Sequence, residues 1–275
     1  MVNRAIAPGD YAAFSRFLEQ ACGIVLGDNK DYLVASRLDR VMDEFGINSL
    51  ADLMVRIQGS DGALRTRVID AMTTNETLWF RDAYPFEILK QSILPALPRA
   101  GVSQLQFWSA GCSTGEEPYS ISMAIQEYLQ ANPMGLPTDI HILATDISSN
   151  VLASANAGRY DEKSLARGIS AQRKQRFFMP DGGAWRVRDE IRRRVAFRPL
   201  NLKDSYAALG RFDAIFCRNV LIYFSADLKR DILQRMHAVL KPRGFLVLGA
   251  SESVSGYSDG FEMIRGKPGV IYRRK

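Results

Sequence analysis

Leu105-Gln106-Phe107-Trp108-Ser109-Ala110-Gly111-Cys112-Ser113-Thr114-Gly115-Glu116-Glu117-Pro118-Tyr119-Ser120 decides the fold. A short apolar run ends in a small-residue loop with two glycines, and the loop leads directly into an amphipathic segment, 116–130. That order reads as strand, tight turn, helix. Glycine permits a close backbone approach, and a turn at the carboxyl end of a strand is where open α/β sheets bind nucleotides. Glu116 and Glu117 fall in the first helical turn, where they repel a phosphate and welcome a ribose or an ammonium group. The predicted ligand is a nucleoside without a pyrophosphate. Gly-x-x-x-Gly is not the dinucleotide Gly-x-Gly-x-x-Gly, so a plain structural turn is the competing reading.

Downstream the alternation continues. A loop over 132–137 precedes a second strand, 140–146, that ends in Asp146. An acid at that tip is placed to accept both ribose hydroxyls. Helix capping is the alternative, a task Ser148 or Ser149 performs equally well. A short helix over 150–157 ends at Gly158. The alternation then breaks: 163–178 reads as a basic helix, 180–183 as a turn, and 184–188 and 195–199 as short strands. The run 195–202 rejoins the main sheet as its third strand and brings Asn201 to a carboxyl tip. Residues 211–217 form a fourth strand, with Arg218, Asn219 and Tyr223 following over the same face. Ser225 caps a helix to Leu240, 241–244 turn, and 245–249 form a fifth strand. Strands 261–265 and 270–273, joined at 266–269, close the chain as a hairpin. The economical fold is α/β, with one doubly wound, mostly parallel sheet of seven strands.

Upstream, the pattern is helical. Tyr11, Phe14, Leu18 and Cys22 recur at helical spacing and stop at Gly23; Val34, Leu38, Val41, Met42 and Phe45 form a second stripe ending at Gly46. Ser49 with Asp52 resembles a capping start for a third helix that places Leu50, Leu53, Met54 and Ile57 inward, and a fourth spans 63–72. Residues 1–72 are therefore expected to be a helical bundle. Residues 73–95 link it, through a helix near 82–94 stopped by Pro95, to an α/β domain over 96–275. On the second helix Lys30, Arg37 and Arg40 leave the apolar stripe, as solvated decoration or as a patch for acidic partners.

At 275 residues, 47% hydrophobic, the chain can bury a substantial core. No run approaches the length of a membrane helix, and the first residues are too short in their apolar part for a signal peptide, so a soluble, cytoplasmic protein is expected. Cys22, Cys112 and Cys217 are far apart and odd in number, which argues against a disulfide framework. With two histidines and no neighbours at ligand spacing, no metal site is expected. The net charge of +6 is unevenly spread: residues 158–199 hold 12 basic side chains against 5 acidic ones. That excess is either a solvated face or a surface for an acidic partner.

Taken together, Thr74-Asn75-Glu76-Thr77-Leu78-Trp79-Phe80-Arg81, Ser113-Thr114-Gly115-Glu116-Glu117-Pro118-Tyr119-Ser120, Asp146-Ile147 and Phe212-Asp213-Ala214-Ile215-Phe216-Cys217-Arg218-Asn219-Val220-Leu221-Ile222-Tyr223-Phe224 resemble the chemoreceptor glutamate O-methyltransferase family of bacterial chemotaxis. The resemblance covers nearly the whole chain. It implies a class I methyltransferase-like sheet using S-adenosylmethionine, with 158–199 as a small inserted antiparallel β-subdomain. In that family the positions matching Asn75, Thr77, Arg81, Glu117, Asp146, Asn201, Leu202, Arg218, Asn219 and Tyr223 line the cofactor and substrate site. By this resemblance Asp146 takes the ribose hydroxyls, Glu117 the amino-acid end or nearby polar contacts, and Asn201 with Leu202 the adenine. Arg81 and Tyr223 stand at the chemical end. The implied partners are the cytoplasmic domains of methyl-accepting receptors, and in some members the β-subdomain docks a receptor's C-terminal pentapeptide. A monomer is expected, without nucleic acid, reaching the membrane only through the receptor.

The implied reaction is in-line attack of a receptor glutamate on the sulfonium methyl group, giving a γ-methyl ester and S-adenosylhomocysteine. A carboxylate is ionised near neutral pH and needs no strong base, in keeping with the absence of a Ser-His-Asp set. Each assignment has a plainer rival: Tyr223 as core packing beside Phe224, Arg218 as an ordinary ion-pair partner, Cys112 and Cys217 as small buried residues. Two other functions compete. The basic insertion suggests nucleic-acid methylation, but Arg218-Asn219-Val220 stands where an Asn-Pro-Pro-Tyr-like or catalytic-Cys motif belongs. A docking module that keeps the cofactor fold without catalysis is the other.

Overall fold

In the computed structural model, residues 6–97, 103–133, 136–137, 139–266 and 269–275 are described. Residues 1–5, Met134 and Gly135 of the expected loop, and Lys267 and Pro268 of the expected hairpin turn lie outside them. The chain divides into two compact units, Met1–Thr74 with Tyr223–Leu228, and Asn75–Ile222 with Lys229–Lys275.

In the first unit are helices α1 (Pro8–Cys22), α2 (Asp31–Glu44), α3 (Leu50–Gln58) and α4 (Gly62–Met72); the first three bury the stripes their spacing predicts except for Tyr11 and Phe45, which are half-buried. Phe14, Leu18, Val34, Leu38, Leu53, Leu64 and Val68 are fully enclosed. Helix α1 ends because Gly23 turns left-handed (φ 81°) and its N–H bonds back to the Glu19 carbonyl. Ser49 caps α3 by accepting the Asp52 N–H at 3.1 Å and donating its hydroxyl to the Asp52 carboxylate. Arg37, expected on the outside of α2, instead ties that helix to the end of α4, donating to the Met72 carbonyl at 2.6 Å and to the Thr74 hydroxyl at 2.9 Å.

The second unit opens with a helix that needs a correction. Rather than starting near Asp82 and stopping at Pro95, α5 (Tyr84–Ile88) widens into a π turn, Leu89–Ile93, and runs on as α6 (Leu94–Ala96). Asp82 and Ala83 are left-handed and exclude an earlier start. The wide turn before Pro95, in which the Leu94 N–H bonds to the Leu89 carbonyl, carries the backbone past the missing proline donor.

Strand β1 (Gln104–Ala110) leads into α7 (Glu116–Ala131), and β2 (Asp139–Asp146) into α8 (Ser149–Ala157). The insertion follows: β3 (Arg159–Tyr160), α9 (Glu162–Ala166), α10 (Ala171–Phe177), β4 (Phe178–Asp181), β5 (Ala184–Val187) and α11 (Asp189–Arg192). β6 (Val195–Pro199), β7 (Phe212–Cys217), α12 (Ala226–Val239), β8 (Leu240–Leu248), β9 (Phe261–Arg265) and β10 (Val270–Arg274) complete it. Seven strands form one sheet in the order β6-β2-β1-β7-β8-β10-β9, parallel except for β10, which runs antiparallel to both its neighbours. The order reverses between β1 and β7, which makes their carboxyl ends the topological switch point.

Two further expectations are corrected here. The single basic helix over 163–178 is two helices, because Gly168 (φ 117°) interrupts it; a Cβ there would lie 2.0 Å from the Trp79 carbonyl oxygen. The tail of that stretch is strand, and β3-β5-β4 make the antiparallel three-stranded sheet, with Gly182 and Gly183 both left-handed at its hairpin turn. Residues 241–244 do not leave the sheet as a turn. They lie within β8, opposite a register shift between Phe212 and Ala214, with the Asp213 carboxylate bonding Lys241 at 2.7 Å.

Candidate active site

At the switch point, the turn after β1 is held by its neighbour. The Gly111 and Cys112 N–H groups both donate to the Thr145 carbonyl, at 2.8 and 2.9 Å. Gly111 is left-handed (φ 73°), and a Cβ on it would meet Val220 at 2.5 Å; Gly115 (φ 95°) begins α7 and would meet Ala155 and Tyr160 at 3.0 Å. Both glycines of the opening motif are therefore required by conformation and by close approach. Ser113, also left-handed, donates its N–H to Asp146 Oδ2 at 2.9 Å and its hydroxyl to the Asn75 carbonyl at 2.8 Å.

Asp146 lies at the carboxyl tip of β2, its carboxylate fixed from both sides, since Oδ1 also accepts the Ser148 N–H at 3.0 Å. The capping role considered for Ser148 is absent: its side chain makes no cap bond, and its buried hydroxyl oxygen has no hydrogen-bond partner. Asn201 follows β6, its Oδ1 accepting the Lys203 N–H, and Leu202 beside it is buried.

Glu117 accepts the Ser109 hydroxyl on Oε1 at 2.7 Å and Arg218 on Oε2 at 2.9 Å. Arg218 is only 1% exposed along its side chain and also pairs with Asp82 at 2.7 Å and with the Arg81 carbonyl. This run of charges joins the ends of β1 and β7 to the segment 81–82. Asn219 is left-handed (φ 59°) and its buried Oδ1 has no hydrogen-bond partner. Arg81 donates to the Glu76 carbonyl at 3.1 Å. Thr77 lines a cleft of about 240 Å³ with Leu78, Trp79, Glu116, Lys163 and Arg167. Tyr223 belongs to the helical unit, where its carbonyl accepts the Val25 N–H at 2.9 Å.

Cys112 and Cys217 are free, buried thiols. Burial pushes the Cys112 and Cys217 thiols far up, and neighbouring carboxylates push the same way. Burial also raises Glu116, which accepts the Thr114 hydroxyl. Among the described residues no group of His, Cys, Asp or Glu could hold a metal ion, and no helix is long and apolar enough to cross a membrane.

Sequence reasoning missed Ser109, Ser113 and Asp82, and above all Glu252, whose carboxylate accepts four backbone N–H groups around the ends of β7 and β8. Only the short spacing Gly249-Ala250-Ser251-Glu252 after a strand hinted at it.

Residues 75–270 match the S-adenosylmethionine-binding domain of CheR methyltransferases, and residues 9–73 match the all-alpha domain of the same proteins. The chain belongs to the CheR methyltransferase family. It is 56% identical to chemotaxis protein methyltransferase 1 of Pseudomonas aeruginosa, covering 98% of this chain and 99% of that one. It is 54% identical to the chemotaxis protein methyltransferase Cher2 of Pseudomonas putida over 97% and 98%. With the chemotaxis protein methyltransferase of Escherichia coli it shares 37% identity over 91% and 86%. S-adenosylmethionine is thus the cofactor of this CheR methyltransferase, and the strand tips fit it. They hold orphaned polar atoms on Ser148 and Asn219 and a fixed carboxylate at Asp146. A diol needs a carboxylate, a primary ammonium needs acceptors, and a nucleoside with no pyrophosphate needs no cationic phosphate cradle.

Proposed function

We propose that this CheR methyltransferase methylates glutamate side-chain carboxylates in the cytoplasmic domains of chemotaxis receptors, as a protein-glutamate O-methyltransferase working in the cytoplasm. The observation that carries the reading is the carboxylate pair at the switch point: Asp146, bonded to the Ser113 and Ser148 amides, and Glu117, bonded to Ser109 and Arg218. Two fixed carboxylates with orphaned polar atoms nearby suit a cationic, diol-bearing ligand. S-adenosylmethionine supplies a sulfonium-bound methyl group that a carboxylate can attack directly, leaving S-adenosylhomocysteine.

The chain's own residues then bind and orient. We assign Asp146 to the ribose hydroxyls, and Asn201 and Leu202 to the adenine. Glu117 receives the amino-acid end together with Asn75, Thr77 and Asn219. Arg218 has both terminal guanidinium nitrogens engaged, by Glu117, Asp82 and the Arg81 carbonyl, so it acts by holding Glu117 in place. Arg81 and Tyr223 are assigned to the reacting end. An acceptor carboxylate is already ionised at neutral pH, so catalysis rests on alignment and on exchanging water for fixed dipoles. This is consistent with the buried thiols of Cys112 and Cys217, whose pKa values are raised. A receptor's C-terminal pentapeptide at the sheet β3-β5-β4, and action as a monomer, complete the reading.

The test is peptide mapping of receptor-containing membranes after incubation with the enzyme and S-adenosylmethionine. Methyl groups on glutamate side chains are expected, and Arg81→Ala should abolish them in a protein that stays folded. Methyl groups confined to lysine or cysteine, or normal turnover by Arg81→Ala, would overturn the respective assignment.

A further inference from the structure

Glu252 is the most heavily bonded side chain at the carboxyl edge of the sheet. Its Oε2 accepts the N–H groups of Asn219 at 2.7 Å and Gly249 at 2.8 Å; its Oε1 accepts those of Val220 at 2.9 Å and Ile222 at 3.3 Å. Four acceptor positions are all that a carboxylate offers. The donors of 219–222 converge because Asn219 is left-handed and the tight turn Leu221–Tyr223 follows it. Successive inward N–H groups of this kind make an anion-binding concavity. Here the protein fills it with its own side chain.

The contacts beyond that concavity give it a purpose. Asn219 is held at φ 59°, with its buried Oδ1 left without a partner. A strained, unsatisfied side chain persists only where its surroundings over-determine it. Val220, the next residue bound to Glu252, stands 2.5 Å from where a Cβ on Gly111 would be, so its position shapes the first turn of the nucleoside-binding motif. Gly249 is equally constrained, since a Cβ there would lie 2.7 Å from Glu252 Oε2 and 2.9 Å from the Asn219 nitrogen. One carboxylate thus sets the ends of β7 and β8 and the neighbour of the glycine turn after β1.

We infer that Glu252 is a positioning residue for cofactor binding: by clamping the amides of Asn219, Val220, Ile222 and Gly249, it holds the Asn219 side chain and the Gly111 turn in the binding conformation. The inference rests on the reading that S-adenosylmethionine binds at these strand tips. Glu252→Gln keeps the shape but replaces one acceptor oxygen by an NH₂ group, so two of the four N–H groups face a donor whichever way the amide is turned.

Asp213 provides the matched control. It is a second carboxylate, 3% exposed, that bonds the Gln106 N–H at 2.8 Å and Lys241 at 2.7 Å near the amino end of β7. The experiment is calorimetric titration of S-adenosylhomocysteine into the intact protein, its Glu252→Gln variant and its Asp213→Asn variant, with thermal unfolding recorded for each. Glu252→Gln should bind more than fivefold more weakly, and Asp213→Asn should stay within fivefold of the parent although its melting temperature falls too. Affinity of Glu252→Gln within fivefold of the parent would overturn the inference, and so would an equal loss in Asp213→Asn, which would make the effect one of stability alone. If Glu252→Gln does not fold, Glu252→Asp, shorter by one methylene, carries the same fivefold criterion. A parent protein that binds no S-adenosylhomocysteine would overturn the underlying cofactor reading, and the inference with it.

Discussion

Asp146, Glu116 and Arg218 are three charged residues whose surroundings assign them different work. Asp146 has one backbone N–H on each oxygen, which fixes the carboxylate plane at the tip of β2. Removing it takes away a charged acceptor; such bonds are worth about 1.5–3 kcal/mol, or roughly 10- to 100-fold in affinity. Asp146→Ala should lose that much binding of S-adenosylhomocysteine by calorimetry. Glu116 differs in that burial raises its pKa above the ordinary carboxylate value of 4.5. A carboxyl raised in the folded state opposes folding when ionised, and the cost is relieved as pH falls through the raised value toward 4.5. Glu116→Gln, which keeps an acceptor for the Thr114 hydroxyl, should therefore raise the melting temperature at pH 8, with the gain shrinking toward pH 4.5. A gain that does not depend on pH would contradict the assignment. Arg218 is the buried centre of an ion-pair network, and cutting it to alanine leaves Glu117 with an uncompensated charge. Loss of a partner from a buried pair typically costs about 3–5 kcal/mol. Denaturant unfolding of Arg218→Ala should fall in that range, whereas an exposed arginine would cost a few tenths.

At the scale of elements, the decisive features are turns and breaks. Gly168 separates α9 from α10 because its backbone passes the Trp79 carbonyl with no room for a Cβ, and the Trp79 N–H bonds to the Arg167 carbonyl at 3.2 Å. Gly168→Ala meets both a forbidden φ and a backbone clash, so it should destabilise the protein by about 1–3 kcal/mol or more. Changed tryptophan fluorescence should accompany that loss, since Trp79 packs edge-on against Tyr160 and Phe178. The helices α1–α4 and the motif strands were legible because their apolar spacing and their caps, Gly23 and Ser49 among them, lie within a few residues of each other. The split of α9 from α10 and the π turn before Pro95 were not. They depend on the Trp79 carbonyl in one case and on a shifted hydrogen-bond ladder in the other, and neither leaves a local pattern. The strands β3 and β4 escaped for a related reason: two to four residues are too few for alternation to register.

Across the whole molecule, a seven-stranded sheet with one reversal of strand order brings residues more than a hundred positions apart to one edge. Glu117 with Arg218 is such a pair, 101 positions apart, and Ser113 with Asp146 meet there across a shorter span. Their chemical types were readable from the motifs, but Asp82, which holds Arg218, and Glu252, which holds the amides that follow it, were not, because a surface-looking acid acquires its role only when a distant loop folds over it. The basic excess of residues 158–199 is partly absorbed internally, with Arg173 on Glu127, Lys174 on Glu162 and Arg159 on Asp181. This weakens the case for a nucleic-acid partner drawn from charge alone. The most direct test of the central claim is transfer of labelled methyl groups from S-adenosylmethionine to receptor-containing membranes, followed by mild alkali. The account predicts label released as volatile methanol, the mark of a carboxyl methyl ester, and less of it with Asp146→Ala at subsaturating cofactor. Label that resists alkali, or none transferred by a protein that binds the cofactor, would contradict it.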